Sequence, residues 1–102
     1  MVIEHTPRGL AVVTFEDTYG MECSLQKSSS IEDRIWFGIN DCKPKIMAIH
    51  ADEAGVKTNE TTGWVPYPIP PNVLLSTRMH LSQSQVIELL PYLTKFAETG
   101  NI

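Results

Sequence analysis

The chain has 102 residues, a length typical of one domain that buries roughly two-thirds of its unfolded surface. Eight Lys and Arg residues against 12 Asp and Glu residues give a formal net charge of −4, which opposes nonspecific binding to nucleic acid. The acidic residues are scattered, which argues against a DNA mimic. We therefore expect a single domain over residues 1–102.

The N-terminus has no basic stretch followed by an apolar one, and no apolar run is long enough to span a bilayer. These features predict a cytoplasmic protein without a membrane partner. Cys23 and Cys42 lack CxxC spacing and are expected to be reduced. Because the cysteines and the three histidines show no recognised ligand spacing, we predict neither a metal nor a cofactor.

The first half of the chain predicts strands. Residues 1–8 show no periodicity and indicate a loose lead-in. Residues 9–15 are rich in β-branched side chains, residues 21–26 alternate apolar and polar side chains, and residues 17–20 between them have the composition of a tight turn. Residues 34–39 alternate in the same way and predict a third strand.

The second half adds two strands and a helix. We predict strands over residues 46–50 and 73–81, with a brief helical turn at residues 51–54 between them. Ser82 and Gln85 have the spacing of a helix capping box, and Gly100 is the expected stop. Apolar residues follow at helical spacing: Val86, Leu89, Leu90, Leu93 and Phe96.

These elements predict an α+β fold, in which a mainly antiparallel sheet of about five strands carries one C-terminal helix packed on one face. Pro91 lies inside the helix and removes one backbone hydrogen bond, so packing on the sheet is expected to hold the helix. A small sheet with one covering helix leaves its second face or an edge open. We therefore expect a homo-oligomer, with a dimer as the simplest case.

Residues 61–71 hold four of the seven prolines together with Trp64 and Tyr67. Prolines fix φ and disfavour helix and central strand, which predicts a stiff arm that orders the two aromatic side chains at little entropic cost. Such an arm suits a recognition surface, and it equally suits a cover over a small core.

Five residues form the candidate site. Arg34 and Trp36 share one face of a strand, and Arg78 lies on the strand that follows the arm carrying Trp64 and Tyr67. Guanidinium groups bind phosphates, and aromatic rings stack on bases or peptide planes, so this set suits a small phosphorylated ligand. In the alternative interpretation the aromatics cover the core and both arginines pair with acids.

No glycine-rich phosphate loop, nucleophile elbow or set of acid and base residues is present, so we expect the protein not to be an enzyme. A nucleophilic pair of a cysteine and a histidine stays open, because such partners can be distant in sequence, but a buried thiol and a half-exposed imidazole are the simpler interpretation.

Four segments resemble a family of small accessory proteins of tailed bacteriophages and prophages: FEDTYGMECSLQKSS at 15–29, IWFGIND at 35–41, TTGWVPYPIP at 61–70 and VLLSTRMHL at 73–81. The resemblance covers most of the chain from about Gly9 onward and carries no catalytic residue with it. It implies a protein made inside an infected bacterial cell that acts by binding.

Two functions are compatible with these observations. The first is counter-defence by sequestration of a small nucleotide-like ligand that binds Arg78 and the aromatic residues. The second is an inhibitor or accessory factor that binds a host or phage protein through Trp64 and Tyr67, since aromatic residues often anchor interfaces.

Overall fold

The computed structural model describes residues 1–102 and divides them into two compact units. The first unit consists of residues 1–40 and 77–102, and the second consists of residues 41–76. The expectation of a single domain over residues 1–102 stays a prediction.

The first unit is a five-stranded antiparallel sheet followed by one helix, which confirms the α+β class. The strands are β1 (Val2–His5), β2 (Ala11–Glu16), β3 (Glu22–Lys27), β4 (Arg34–Ile39) and β7 (Arg78–Ser82), and the helix is α1 (Gln83–Thr99). The strand order in the sheet is β1-β2-β3-β4-β7.

The hairpin between β2 and β3 has the turn that the sequence predicts. The Oδ1 atom of Asp17 accepts hydrogen bonds of 2.9 Å from the backbone N–H groups of Tyr19 and Met21. Gly20 has a φ of 79°, a left-handed conformation that glycine adopts without steric cost. This turn fixes the register in which Val13 lies opposite Leu25.

The N-terminal segment is more regular than expected. Strand β1 occupies residues 2–5 of the segment expected to be a loose lead-in, and it pairs with β2 through a turn in which Gly9 donates to the carbonyl of Thr6. Both side-chain directions of this edge strand are exposed, so its sequence lacks the alternation that reveals a half-buried strand.

Helix α1 begins and ends as predicted. The hydroxyl of Ser82 accepts a hydrogen bond from the backbone of Gln85, whose side chain accepts one from the backbone of Ser82. Gly100 has a φ of 76° and caps the C-terminus by donating to the carbonyl of Phe96. The capping box and the left-handed glycine therefore set the helix length.

Neither helix of the structure is long and apolar enough to cross a membrane.

The apolar stripe of α1 does not pack on its own sheet, contrary to the sequence interpretation. No residue of the helix is buried, and Leu90, Leu93 and Phe96 are each more than half exposed. Ser82 is both the last residue of β7 and the N-cap of α1, so no loop separates the strand from the helix. Because a helix needs a connection of about two to six residues to return over its sheet, α1 extends from β7 instead.

The second unit contains a two-stranded ribbon formed by β5 (Lys45–Met47) and β6 (Trp64–Pro66), with a 3₁₀ helix (Ala48–His50) after β5. The strand predicted over 46–50 is therefore shorter and turns helical at Ala48. Residues 73–77, predicted as part of the last strand, are not in a strand. A small cluster forms the core of this unit: Ala48, Ala51, Val56 and Val65, with Ile46 against it.

Candidate ligand-binding face

The two faces of the five-stranded sheet differ in chemistry. Residues that lie opposite each other in antiparallel strands share a face, and the register therefore defines both faces. One surface, which we call the apolar face, carries Ile3, Val13, Phe15, Leu25, Phe37 and Met79. The opposite surface, which we call the polar face, carries Ser24, Gln26, Arg34, Trp36, Arg78 and His80.

Arg78 lies on the polar face within a network of neutral partners. Its Nη1 atom donates to Oε1 of Gln26 at 2.9 Å and to Oγ of Ser24 at 3.4 Å. No carboxylate lies within salt-bridge distance of this guanidinium, and the residue is only partly exposed. Its positive charge is therefore held in a fixed place by hydrogen bonds and remains uncompensated.

Gly38 makes this position of Arg78 possible. In the sheet it lies between Arg78 on β7 and Ser24 on β3, and a Cβ atom here would come within 3.1 Å of the Cα atom of Arg78. Its φ of 146° and the 2.8 Å that would separate a Cβ atom from the carbonyl oxygen of Thr77 both require glycine. The absence of a side chain leaves room for the backbone of β7 at Thr77 and Arg78, from which Arg78 reaches Ser24 and Gln26 on β3.

Trp36 lies next to Arg78 and His80. The Cζ atom of Arg78 is 5.5 Å from the centroid of the indole ring, within the range of a cation–π contact. The imidazole of His80 stacks on Trp36 with a centroid distance of 3.9 Å and an interplanar angle of 12°. We call Arg78, Trp36 and His80 the polar-face cluster, which combines a fixed cation with two stacked rings.

The pairing of His80 with Ser28 has a structural explanation. The Nε2 atom of His80 is 2.9 Å from Oγ of Ser28, a contact that nucleophilic catalysis also uses. Ser28 is only 5% exposed, however, and no carboxylate pairs with His80 to orient its ring. The hydrogen bond instead holds the imidazole against Trp36.

The five residues predicted from sequence belong to two different units. The structure brings Arg78 and Trp36 together. Arg34 lies on the same face, but its Nη2 atom donates to Oε2 of Glu32 at 2.6 Å, so its charge is compensated. Trp64 and Tyr67 belong to the second unit, where Trp64 is 65% exposed on β6 and the backbone of Tyr67 donates to the carbonyl of Pro44.

The alternative interpretation, in which Trp64 and Tyr67 cover the core, does not fit their exposed side chains. The core of this unit is formed by smaller residues such as Val65 and Ala48. The interpretation in which both arginines pair with acids holds for Arg34 and not for Arg78.

Sequence reasoning missed His80, Gln26 and Ser24 as parts of the site. The parity of β7 places Arg78 and His80 on one face, and this signal is visible in the sequence. Only the register shows that the face is also that of Trp36 and Gln26, because it depends on which strands pair.

Comparison with known proteins gives no relative. No family model, curated protein or solved structure matches this chain.

Proposed function

We propose that the protein binds a small planar anion, of the nucleotide type, on the polar face without transforming it. The observation that carries the proposal is Arg78, whose guanidinium is fixed by Gln26 and Ser24, touches Trp36 and has no carboxylate partner. An anionic group of a ligand would supply the missing counter-charge in a charge-assisted hydrogen bond.

The aromatic residues of the cluster suit the planar part of such a ligand. His80 is exposed and already stacked on Trp36, so a base that stacks on the imidazole would extend an existing array. Base-aromatic stacking contributes about 1–3 kcal/mol per base, and it tolerates different bases. The cluster therefore favours a phosphorylated base over inorganic phosphate or a nucleoside alone.

The resemblance to phage accessory proteins suggests the biological setting. Inside an infected bacterial cell, a protein that holds a nucleotide without hydrolysing it lowers the free concentration of that nucleotide. We propose that the protein counters host defence in this way, by sequestering a nucleotide signal.

Calorimetry with a panel of linear and cyclic nucleotides tests the proposal, with adenosine and inorganic phosphate as partial probes. Arg78→Ala is expected to weaken binding by about 10- to 100-fold, the equivalent of one hydrogen bond to a charged group. His80→Ala is expected to weaken it less. Arg34→Ala is the matched control, because this arginine lies on the same face and is already paired with Glu32.

Two results would contradict the proposal: no heat from any nucleotide at tens of micromolar, or equal losses in the Arg78 and Arg34 variants. Circular dichroism of each variant checks the fold. If Arg78→Ala unfolds the protein, Arg78→Lys replaces it as the test. Lysine retains the positive charge but lacks the planar guanidinium, so this variant is expected to fold and to bind the nucleotide weakly.

The second unit favours a second candidate function. Trp64 is 65% exposed on a short strand of the ribbon, and Tyr67 is 38% exposed just beyond it. Exposed aromatics on ordered backbone are common anchors of protein interfaces. An inhibitor or accessory factor that binds a host or phage protein would lose that partner in Trp64→Ala, whereas Arg78→Ala would retain it.

A further inference from the structure

Two apolar surfaces of the first unit lack a partner within the chain. On the apolar face of the sheet only Cys23 is fully buried, and Met79 is 54% exposed. On α1, three residues of the stripe, Leu90, Leu93 and Phe96, are each more than half exposed. Each surface is the kind that the other would cover in a two-layer α+β fold.

The chain connectivity prevents these surfaces from meeting within one molecule. Strand β7 ends at Ser82 and α1 begins at Gln83, so the helix continues from the strand without a loop. The hydrogen bonds of the capping box hold Ser82 and Gln85 in this geometry. A helix that lies across its own sheet would have to break the cap and the last pairs of β7.

The accessible surface indicates how much area remains to be covered. The chain exposes 8410 Å², whereas a compact monomer of its mass exposes about 5,800 Å². Two separate compact bodies of the size of the two units would still expose only about 6,900 Å². The excess of about 1,500 Å², counted over both units, exceeds the roughly 800 Å² that each partner buries in a standard stable interface, and it lies in the range of obligate homodimers.

We infer that a second copy of this chain covers both surfaces, with α1 of each copy packed on the apolar face of the other. The exchange is reciprocal, so one two-fold axis closes the assembly and no open apolar face is left for a third copy. The polar-face cluster lies on the opposite side of the sheet and stays accessible. The dimer therefore carries two ligand sites, and dimerisation and ligand binding are separable.

Light scattering of the purified protein is the first test. At tens of micromolar we expect twice the chain mass of 11.4 kDa, and an 11.4 kDa species alone would overturn the inference. Leu93→Asp puts a charge in the apolar stripe and should give monomers or a dissociation constant raised at least about 100-fold, since a buried unpaired charge is costly. Lys95→Asp is the matched control, because this exposed residue lies on the opposite side of the helix from Leu93 and its change should leave the dimer intact.

Cross-linking distinguishes the reciprocal arrangement from a helix–helix dimer. A photoreactive phenylalanine analogue at Phe96, in dimers mixed from ¹⁴N- and ¹⁵N-labelled chains, should form cross-links between copies to peptides of β2 and β4. Links between copies that join only the two α1 helices would overturn the inference, as would links confined to one chain. Because the assay uses purified protein, no host protein can account for the result.

Discussion

The two faces of the sheet differ in how their side chains are satisfied. On the polar face the side chains hold one another in place: Arg78 donates to Gln26, His80 pairs with Ser28, and Trp36 contacts both the guanidinium of Arg78 and the imidazole of His80. On the apolar face the side chains touch, as in the 6.0 Å pair of Phe15 and Phe37, yet they remain partly exposed. A polar surface can be ordered by its own hydrogen bonds, whereas an apolar surface gains its stability only when another apolar surface covers it.

The largest expected effect concerns the apolar face. Phe37→Ala should cost about 3–5 kcal/mol if a second copy covers this face, because the cavity would then be enclosed. Val12→Ala, at a half-buried position of the polar face, is the control and should cost less. Urea unfolding at two protein concentrations measures both. A small and concentration-independent loss for Phe37→Ala would mean that the apolar face stays open to water.

Gly38 tests how the polar face is built. Gly38→Ala should cost about 1–3 kcal/mol from backbone strain at its positive φ, and the clash with the carbonyl of Thr77 should add to this. It should also displace Arg78 and weaken nucleotide binding. Gly20→Ala has the same kind of strain with nothing within 4 Å of the new Cβ atom, so thermal unfolding should show a smaller loss and calorimetry unchanged binding.

A substitution at the junction between β7 and α1 should have a smaller effect on stability. Ser82→Ala removes the acceptor for the backbone N–H of Gln85 and should cost about 1 kcal/mol. Loss of helical circular dichroism and of thermal stability measures the change. Gln83→Ala, at the next position, should be nearly neutral, because the side chain of Gln83 is exposed and makes no hydrogen bond to the cap. Equal losses in the two variants would mean that the cap does not set the helix start.

The smallest effect is expected at the exposed ion pair of Lys27 and Asp33, whose Nζ and Oδ1 atoms are 2.7 Å apart. The hydrogen bond and the charge of Lys27 lower the pKa of Asp33 below its usual value. A carboxyl whose folded pKa is depressed stabilises the fold above its unfolded pKa, and the contribution is lost as pH falls through the folded pKa. Asp33→Asn should therefore lower stability slightly at pH 7 and not at all well below pH ~4. A difference between wild type and variant that persists in strong acid would contradict this origin.

Local chemistry decided the elements that the sequence predicts correctly. The Asp17–Gly20 turn, strand β4 and the start and end of α1 each depend on residues within a few positions of one another. A cap or a tight turn closes its hydrogen bonds over three or four residues, so the sequence alone contains the whole interaction.

Tertiary structure decided which residues form the polar-face cluster and where α1 lies, because strand pairing joins residues that are far apart in the chain. The pairing of β4 with β7 places His80 against Trp36, and the row of Ser24, Gly38 and Arg78 exists only in that register. The same holds for α1: its apolar stripe is visible in the sequence, but the stripe does not cover its own sheet, because Ser82 joins strand and helix without a loop. An amphipathic pattern indicates which face of a helix is suited to burial. Only the path of the chain determines which surface that face can contact.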